Sequence, residues 1–149
     1  MLLARIPEAK TGFRPHKKSW TMGELSMHVA NLLNWTVSTL RTTELDMNPT
    51  GGTKFVPPKF ESAAATLKYF DESMGAAREA IAAASDADLS VMWSLKNAGQ
   101  TLFSMPRSAC LRGFVMNHLI HHRGQLTVYL RLCDVPLPKV YGPTADTPM

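Results

Sequence analysis

Apolar and aromatic residues recur at steps of three and four near the C-terminus, and this spacing predicts a long helix. The repeating positions are Leu111, Phe114, Val115, His118, His122, Gln125, Leu126 and Tyr129. Residues with this spacing share one face of a helix. Because proline suits the first turn of a helix, we expect this helix to begin near Pro106 and to end near Cys133.

The same periodicity predicts two earlier helices, over residues 21–43 and 61–84. Thr21 and Glu24 have the spacing of a capping box, which marks the start of the first of these helices. Its inward face carries Leu25, His28, Leu32, Trp35 and Thr39. The second has an apolar seam typical of antiparallel helix packing, formed by Leu67, Phe70, Met74, Ala77, Ile81 and Ala84.

The segments between these helices predict turns and short extended pieces. Residues 46–59 contain Asn48-Pro49, Gly51-Gly52 and Pro57-Pro58, which break regular structure, and long loops of this kind are often functional. Residues 92–95 and 101–104 indicate two short extended pieces, so we expect a small β-hairpin near 92–104. The proline-rich tail 135–143 should lie extended on the surface.

Length and composition indicate one domain spanning residues 1–149, with enough chain for a hydrophobic core. No apolar run approaches the length of a membrane-spanning helix, and the N-terminus lacks the pattern of a secretory signal. We therefore expect a cytoplasmic protein without a membrane partner. The net charge of +4 comes from scattered basic residues, so we expect no nucleic-acid partner either.

Two cysteines, Cys110 and Cys133, fall on the last predicted helix. They lie 23 positions apart, which corresponds to about 35 Å along a helix and excludes a disulfide between them. Unpaired thiols are typical of a reducing compartment.

Three of the five histidines fall within six consecutive residues, 117–122, of the last predicted helix. His118 and His122 are one helical turn apart, so both imidazoles face inward and could hold one metal ion, whereas His121 is turned to the side. Ordinary buried histidines are the simpler interpretation, but two imidazoles on an apolar face each need a polar partner, and a shared ion supplies it. His28 is the candidate third ligand, and His16 lies in a basic loop.

At this point the sequence resembles a known family. The segments GELSMHVANLLNW and NHLIHHRGQLTVYLRLCDVPLPKVYGPTAD, with the intervening PPKFES, are similar to the DinB-like family of DinB- and YfiT-like metalloenzymes. The resemblance runs through nearly the whole chain. Its specific motifs are one histidine in the first predicted helix and a later His-x-x-x-His followed by Arg-Gly-Gln.

The resemblance implies an all-α four-helix bundle of the up-down-down-up type, usually assembled as a homodimer. It implies that His28, His118 and His122 bind one divalent ion, Zn²⁺ or Ni²⁺. Relatives include transferases and isomerases that use a low-molecular-weight thiol as co-substrate. Only residues 1–6 correspond to the family's first helix, so the resemblance predicts a truncated first helix here.

Three neutral imidazoles would leave a divalent ion with its full charge and an open position, where bound water or thiol loses its proton more readily. No glutamate lies between His118 and His122, so the metalloprotease motif is absent. The residues expected to support the site, by orienting a ligand imidazole, holding an anion or accepting a proton, are Asn31, His121, Arg123, Gln125 and Tyr129.

Two function classes follow from this set of residues. The first is a metal-dependent transferase or hydrolase that activates water or a low-molecular-weight thiol to act on a small-molecule substrate. The second is a non-catalytic metal-binding helical protein with a structural or stress-related role, in which the ion has a closed coordination sphere. A weaker third alternative is a metal-free bundle with vestigial histidines.

Overall fold

The structure, a computed structural model, describes residues 2–147 and combines helices with a small sheet. Two 3₁₀ turns, Leu3–Arg5 and Glu8–Lys10, precede the longer elements. The helices are α1 (Met22–Asn31), α2 (Asn34–Arg41), α3 (Ala63–Ala83), α4 (Asp86–Ser90), α5 (Arg107–Ala109) and α6 (Asn117–Leu132), with a π-helical segment at Cys110–Met116 between the last two. The strands are β1 (Glu44–Asp46), β2 (Met92–Asn97) and β3 (Gln100–Pro106).

The predicted all-α four-helix bundle is wrong, because a three-stranded mixed sheet forms part of the structure. The strand order is β1-β2-β3, with β1 parallel and β3 antiparallel to β2. The two extended pieces predicted near 92–104 are β2 and β3, which pair as a hairpin. The unpredicted strand is β1, which pairs with β2 about 50 positions later in the chain and carries no local signal of its own.

The side chain of Asp46 ties β1 to the turn of the hairpin. Its carboxylate accepts hydrogen bonds from the backbone N–H groups of Ala98 at 3.0 Å and Gly99 at 2.7 Å. Ala98 and Gly99 both have positive φ, at 51° and 79°. That pair of values is typical of the type I′ turns of hairpins and is strained for alanine. The carboxylate therefore helps to hold the turn in its strained conformation.

The first predicted helix is interrupted, although it begins where the sequence places its cap. Thr21 Oγ1 accepts from the backbone N–H of Glu24 at 3.1 Å, and the Glu24 carboxylate accepts from the backbone N–H of Thr21 at 2.7 Å. The helical hydrogen bonding is interrupted at residues 32–33, so α1 and α2 replace the continuous helix predicted over 21–43. The apolar pattern continues across this break, which explains why the sequence does not reveal it.

The last predicted helix is also divided, by the π-helical segment Cys110–Met116. A π turn contains more residues per hydrogen-bonded turn than an α turn, and such segments often occur at functional sites. Here the segment ends at Met116, and His118 is the second residue of α6. It therefore sets the direction in which the histidines of α6 point.

Two apolar clusters hold these elements together. The larger joins the N-terminal turn to α1 and α6 through Leu3, Leu25, Val29, Leu126 and Leu130, with α3 packed against it. The smaller joins the sheet to the π-helical segment through Trp93, Leu95 and Cys110. Cys110 and Cys133 are both buried and unpaired. Among residues 2–147, we find no helix with the length and apolar character to cross a membrane.

Candidate metal centre

Three histidines from α1 and α6 meet between the two helices. The Nε2 atoms of His28 and His118 are 3.3 Å apart. One ring nitrogen from each of His28, His118 and His122 can be chosen so that all three lie within 4.8 Å of one another. The rings are packed edge to face or tilted, with centroids 4.5–5.1 Å apart. The structure thus brings together the three imidazoles that the sequence singles out as metal ligands.

All three imidazoles favour the neutral form, which is the form that binds a metal. Partial burial lowers the pKa of His28 from 6.5 to about 4, with further lowering from His122 and His118. Burial is also the main reason why the pKa values of His118 and His122 lie below the ordinary value. A proton on any one ring is therefore disfavoured by desolvation and, for His28 and His118, by the neighbouring rings.

The ring of His122 is oriented by a hydrogen bond to a side chain of its own helix. The amide oxygen of Gln125 accepts from Nδ1 of His122 at 2.7 Å, which leaves the lone pair of Nε2 of that ring available to a metal. A hydrogen bond to the backbone of Phe114 opposes the lowering of the His118 pKa. Gln125 thus occupies the position expected of a residue that orients a ligand imidazole.

The geometry and the donor set fit a divalent metal ion. Two nitrogens bound to a tetrahedral zinc ion at about 2.0–2.1 Å are about 3.3–3.4 Å apart, which matches the His28–His118 separation. Imidazole nitrogen is a ligand that suits zinc and nickel. His28, His118 and His122 form the one group of histidine, cysteine and carboxylate side chains within residues 2–147 with the proximity to hold an ion.

Trp20 covers the cluster, and it was not predicted from the sequence. Its ring centroid lies 4.8 Å from that of His28 and 5.7 Å from that of His122, and it stacks on the latter with the ring planes 30° apart. Its carbonyl accepts from the hydroxyl of Tyr129 at 3.1 Å. Trp20 immediately precedes the N-cap Thr21, and a bulky residue in that position often packs back on its helix. The capping box was therefore the available signal.

A pocket of about 680 Å³ opens beside His28, between α1 and the loop before α3. Its polar lining comes from Glu24 and Asn31 on α1, Thr11 and Lys59, and its apolar lining includes Trp20, Met27, Pro58 and Phe60. The carboxylate of Glu24 accepts hydrogen bonds from Thr21, and these lower the pKa of Glu24. The carboxylate is therefore ionised at neutral pH. Glu24 lies one helical turn before His28, and it was not among the predicted site residues.

The remaining predicted residues lie outside the cluster. The amide oxygen of Asn31 accepts from Tyr69 Oη at 2.9 Å, so Asn31 is engaged with α3 and not with an imidazole. His121 is exposed, and its ring lies edge-on to that of His122 with the centroids 4.8 Å apart. Arg123 points to a different pocket, and Tyr129 packs in the core. His16 is exposed, and its Nδ1 accepts from the backbone N–H of Lys18 at 3.2 Å.

Solved structures with a similar fold include two DinB-like proteins. A DinB-like protein from Bacillus cereus has 25% sequence identity and a TM-score of 0.69, with 94% of this chain and 86% of that chain covered. A DinB-like protein from Bacillus subtilis has 16% identity and a TM-score of 0.65, with 99% of this chain and 89% of that chain covered. The second likeness, at its low identity, is a likeness of fold alone.

The sequence also matches a family model. A comparison with curated proteins found no match. The model of the DinB superfamily matches residues 1–126, a range that contains all three histidines of the cluster. This match covers well over half of the sequence. The chain therefore belongs to the DinB superfamily.

Proposed function

We propose that this protein is a metal-dependent transferase or hydrolase that acts on a small molecule. In this proposal, His28, His118 and His122 hold one divalent ion, Zn²⁺ or Ni²⁺. The observation that carries the proposal is the meeting of three neutral imidazoles, two of them at the spacing of zinc ligands, with an open pocket beside one of them. A bound ion with three neutral ligands lowers the pKa of a coordinated water or low-molecular-weight thiol enough to give a nucleophile near neutral pH.

The residues around the cluster have distinct tasks in this proposal. Gln125 fixes the ring of His122 through Nδ1, so that Nε2 stays directed at the ion. Trp20 covers the rings of His28 and His122 and limits access of water from its side. The pocket beside His28 receives the substrate, and Lys59 and Asn31 offer it a cation and an amide.

Glu24 is the candidate proton acceptor for this chemistry. It is an ionised carboxylate on the wall of the same pocket as His28. The helix that carries His118 and His122 contains no carboxylate. A proton released from water or thiol at the site therefore needs an acceptor from another element, and α1 supplies one.

The first experiment is elemental analysis of protein purified without a polyhistidine tag. We expect about one equivalent of zinc or nickel in the wild type and a large loss in the His118→Ala, His122→Ala double variant. His121→Ala is the matched control, because it removes a histidine of the same helix from outside the cluster. A wild type that neither contains metal nor takes it up would contradict the proposal.

Cobalt substitution then separates the enzyme from a non-catalytic metal-binding protein. In the cobalt form, added glutathione, bacillithiol or mycothiol should change the visible spectrum if the ion has an exchangeable ligand. A spectrum that no thiol or small anion alters indicates a closed coordination sphere and a structural role. The homodimer and the cytoplasmic location stay predictions of the sequence, and sedimentation of the purified protein tests the homodimer.

A further inference from the structure

A second pocket, of about 290 Å³, lies on a different side of α6 from the imidazoles. Its lining residues Leu119 and Arg123 follow His118 and His122 by one position each. One position corresponds to a turn of about 100° around the helix, so the side chains of Leu119 and Arg123 lie on a different face of α6 from the imidazoles. The N-terminal turn and the C-terminal tail complete the walls of the pocket, which we call the tail pocket.

The walls of the tail pocket are mainly apolar. They include Val29 from α1, Phe70 from α3, Leu119 and Leu126 from α6, and Leu3 from the N-terminal turn. A site of this kind favours the hydrocarbon part of a ligand, because burial removes apolar surface from water. At about 30 Å³ per water-sized group, the volume suits a ligand of about ten non-hydrogen atoms.

The charged groups that line the tail pocket are both cations. They are Arg123 on α6 and Lys139 on the tail, and no aspartate or glutamate lines it. Neither cation forms an ion pair within residues 2–147, where the ion pairs are Lys68–Glu72, Lys96–Glu44 and Arg131–Asp146. A guanidinium and an ammonium beside an apolar pocket complement one carboxylate or similar anionic head group.

The tail is fixed in the position that brings Lys139 to this pocket. The Asp146 carboxylate accepts from Arg131 at 2.6 and 3.2 Å and from the backbone N–H of Leu137 at 2.8 Å. The hydroxyl of Thr144 donates to the carbonyl of Leu137 at 3.1 Å. These bonds anchor the residues on both sides of Pro138–Val140 and so place Lys139 at the pocket without a ligand.

We propose that the tail pocket binds a small amphipathic anion, a carboxylate on an unbranched or aromatic apolar tail of about eight carbons. The apolar walls take the tail, and Arg123 and Lys139 bind the head group. This site is separate from the metal centre, and its occupation does not require a metal.

Titration of the full-length protein with octanoate, 1-octanol and octylamine tests the proposal. The three probes share one chain length and differ in the charge of the head group. We expect octanoate to bind about tenfold more tightly than 1-octanol, since a charge-assisted pair is added, and octylamine to bind most weakly. Methyl resonances of Leu119, Leu126, Val29 and Val140 should shift on binding.

Two variants locate the head-group site. Arg123→Gln and Lys139→Gln should each bring the affinity for octanoate towards that for 1-octanol, whereas the matched control Arg112→Gln should not. Because Lys139 is exposed, its variant keeps the test valid if Arg123→Gln fails to fold. Chelation of metal should leave octanoate binding unchanged.

Each contrary result overturns the proposal. Equal affinity for octanoate and 1-octanol would show that the cations do not select an anion. Methyl shifts elsewhere in the protein, or an absence of binding, would show that the pocket does not take the ligand. Loss of octanoate binding on chelation of metal would place the anion at the imidazoles instead.

Discussion

The Nε2 atoms of His28 and His118 lie 3.3 Å apart, although 90 positions separate the two residues in the chain. At most one proton can lie between two neutral imidazoles at that distance, and a shared ion is the other way to satisfy both lone pairs. We expect His28→Ala to lower zinc affinity by at least about 100-fold, since it removes a direct ligand. Competition with a chromogenic chelator measures this.

The control for that variant is His16→Ala, which removes an exposed histidine that lies outside the cluster. Its zinc affinity should equal that of the wild type. Equal affinities in both variants would show that His28 is not a ligand.

Replacing Gln125 should weaken metal binding without removing a ligand. In Gln125→Ala, Nδ1 of His122 loses its acceptor at 2.7 Å, so the ring is free to turn or to change tautomer. Loss of a partner that orients a metal ligand typically costs about 10–100-fold in affinity. Gln125→Glu retains an acceptor and should bind zinc at least as tightly as the wild type. If Gln125→Ala does so too, the hydrogen bond has no orienting role.

The metal-free protein should become less stable as the pH falls from about 6.5 towards 4. The pKa of His28 is about 4 in the folded protein and 6.5 as an ordinary value, so the unfolded chain binds the proton first. The ring is only half buried, so we expect the free energy of unfolding to fall by less than about 1 kcal/mol per pH unit. Urea unfolding at several pH values, in the presence of a chelator, gives the slope.

The comparison for this measurement is His28→Gln, which cannot titrate in that range. Its free energy of unfolding should depend less steeply on pH between 4 and 6.5. Parallel curves for the two proteins would assign the pH dependence to other groups.

Gly23 should be intolerant of a side chain. A Cβ at this position would lie 2.8 Å from Cδ1 and 2.9 Å from Cγ of Phe60, which is part of the wall of the pocket beside His28. We expect Gly23→Ala to destabilise the protein by about 1–3 kcal/mol, as overpacking does, and to displace Phe60. The melting temperature of the variant, measured by thermal unfolding, tests the expected loss of stability.

Gly75→Ala is the matched control, because Gly75 also lies in a helix and a Cβ there would enter open space, with no neighbouring side chain within 4 Å. Alanine is the better helix former by about 1 kcal/mol, so this variant should be more stable than the wild type. Similar effects of the two substitutions would show that contact with Phe60 is unimportant.

Local periodicity predicted α3, the start of α1 and the pairing of His118 with His122, because each depends on residues close together in the sequence. It also indicated the hairpin, where alternation and the Ala98-Gly99 turn lie within a few residues of one another. The parallel strand β1 could not be predicted in this way. Its position depends on Asp46 reaching the distant hairpin turn.

The candidate site was predictable as far as its imidazoles and Gln125, which follow helical spacing. Trp20 and Glu24 were missed because Trp20 precedes the helix and Glu24 was considered only as a cap. Asn31 shares a helix with His28, yet its amide is engaged by Tyr69 on α3, a contact between elements that spacing within one helix does not reveal.

The π-helical segment before His118 makes the direction of the imidazoles depend on how seven residues are wound. The segment lies between Cys110, which packs under the sheet, and the histidines that meet α1. Winding the same seven residues as an α-helix, with none deleted, would turn His118 and His122 by roughly 100° relative to Cys110, because a π turn takes up about one more residue than an α turn. During evolution, therefore, substitutions that only change the winding of this segment could abolish the imidazole cluster, whereas loss of the extra residue together with the π winding would preserve it, with every histidine codon left unchanged.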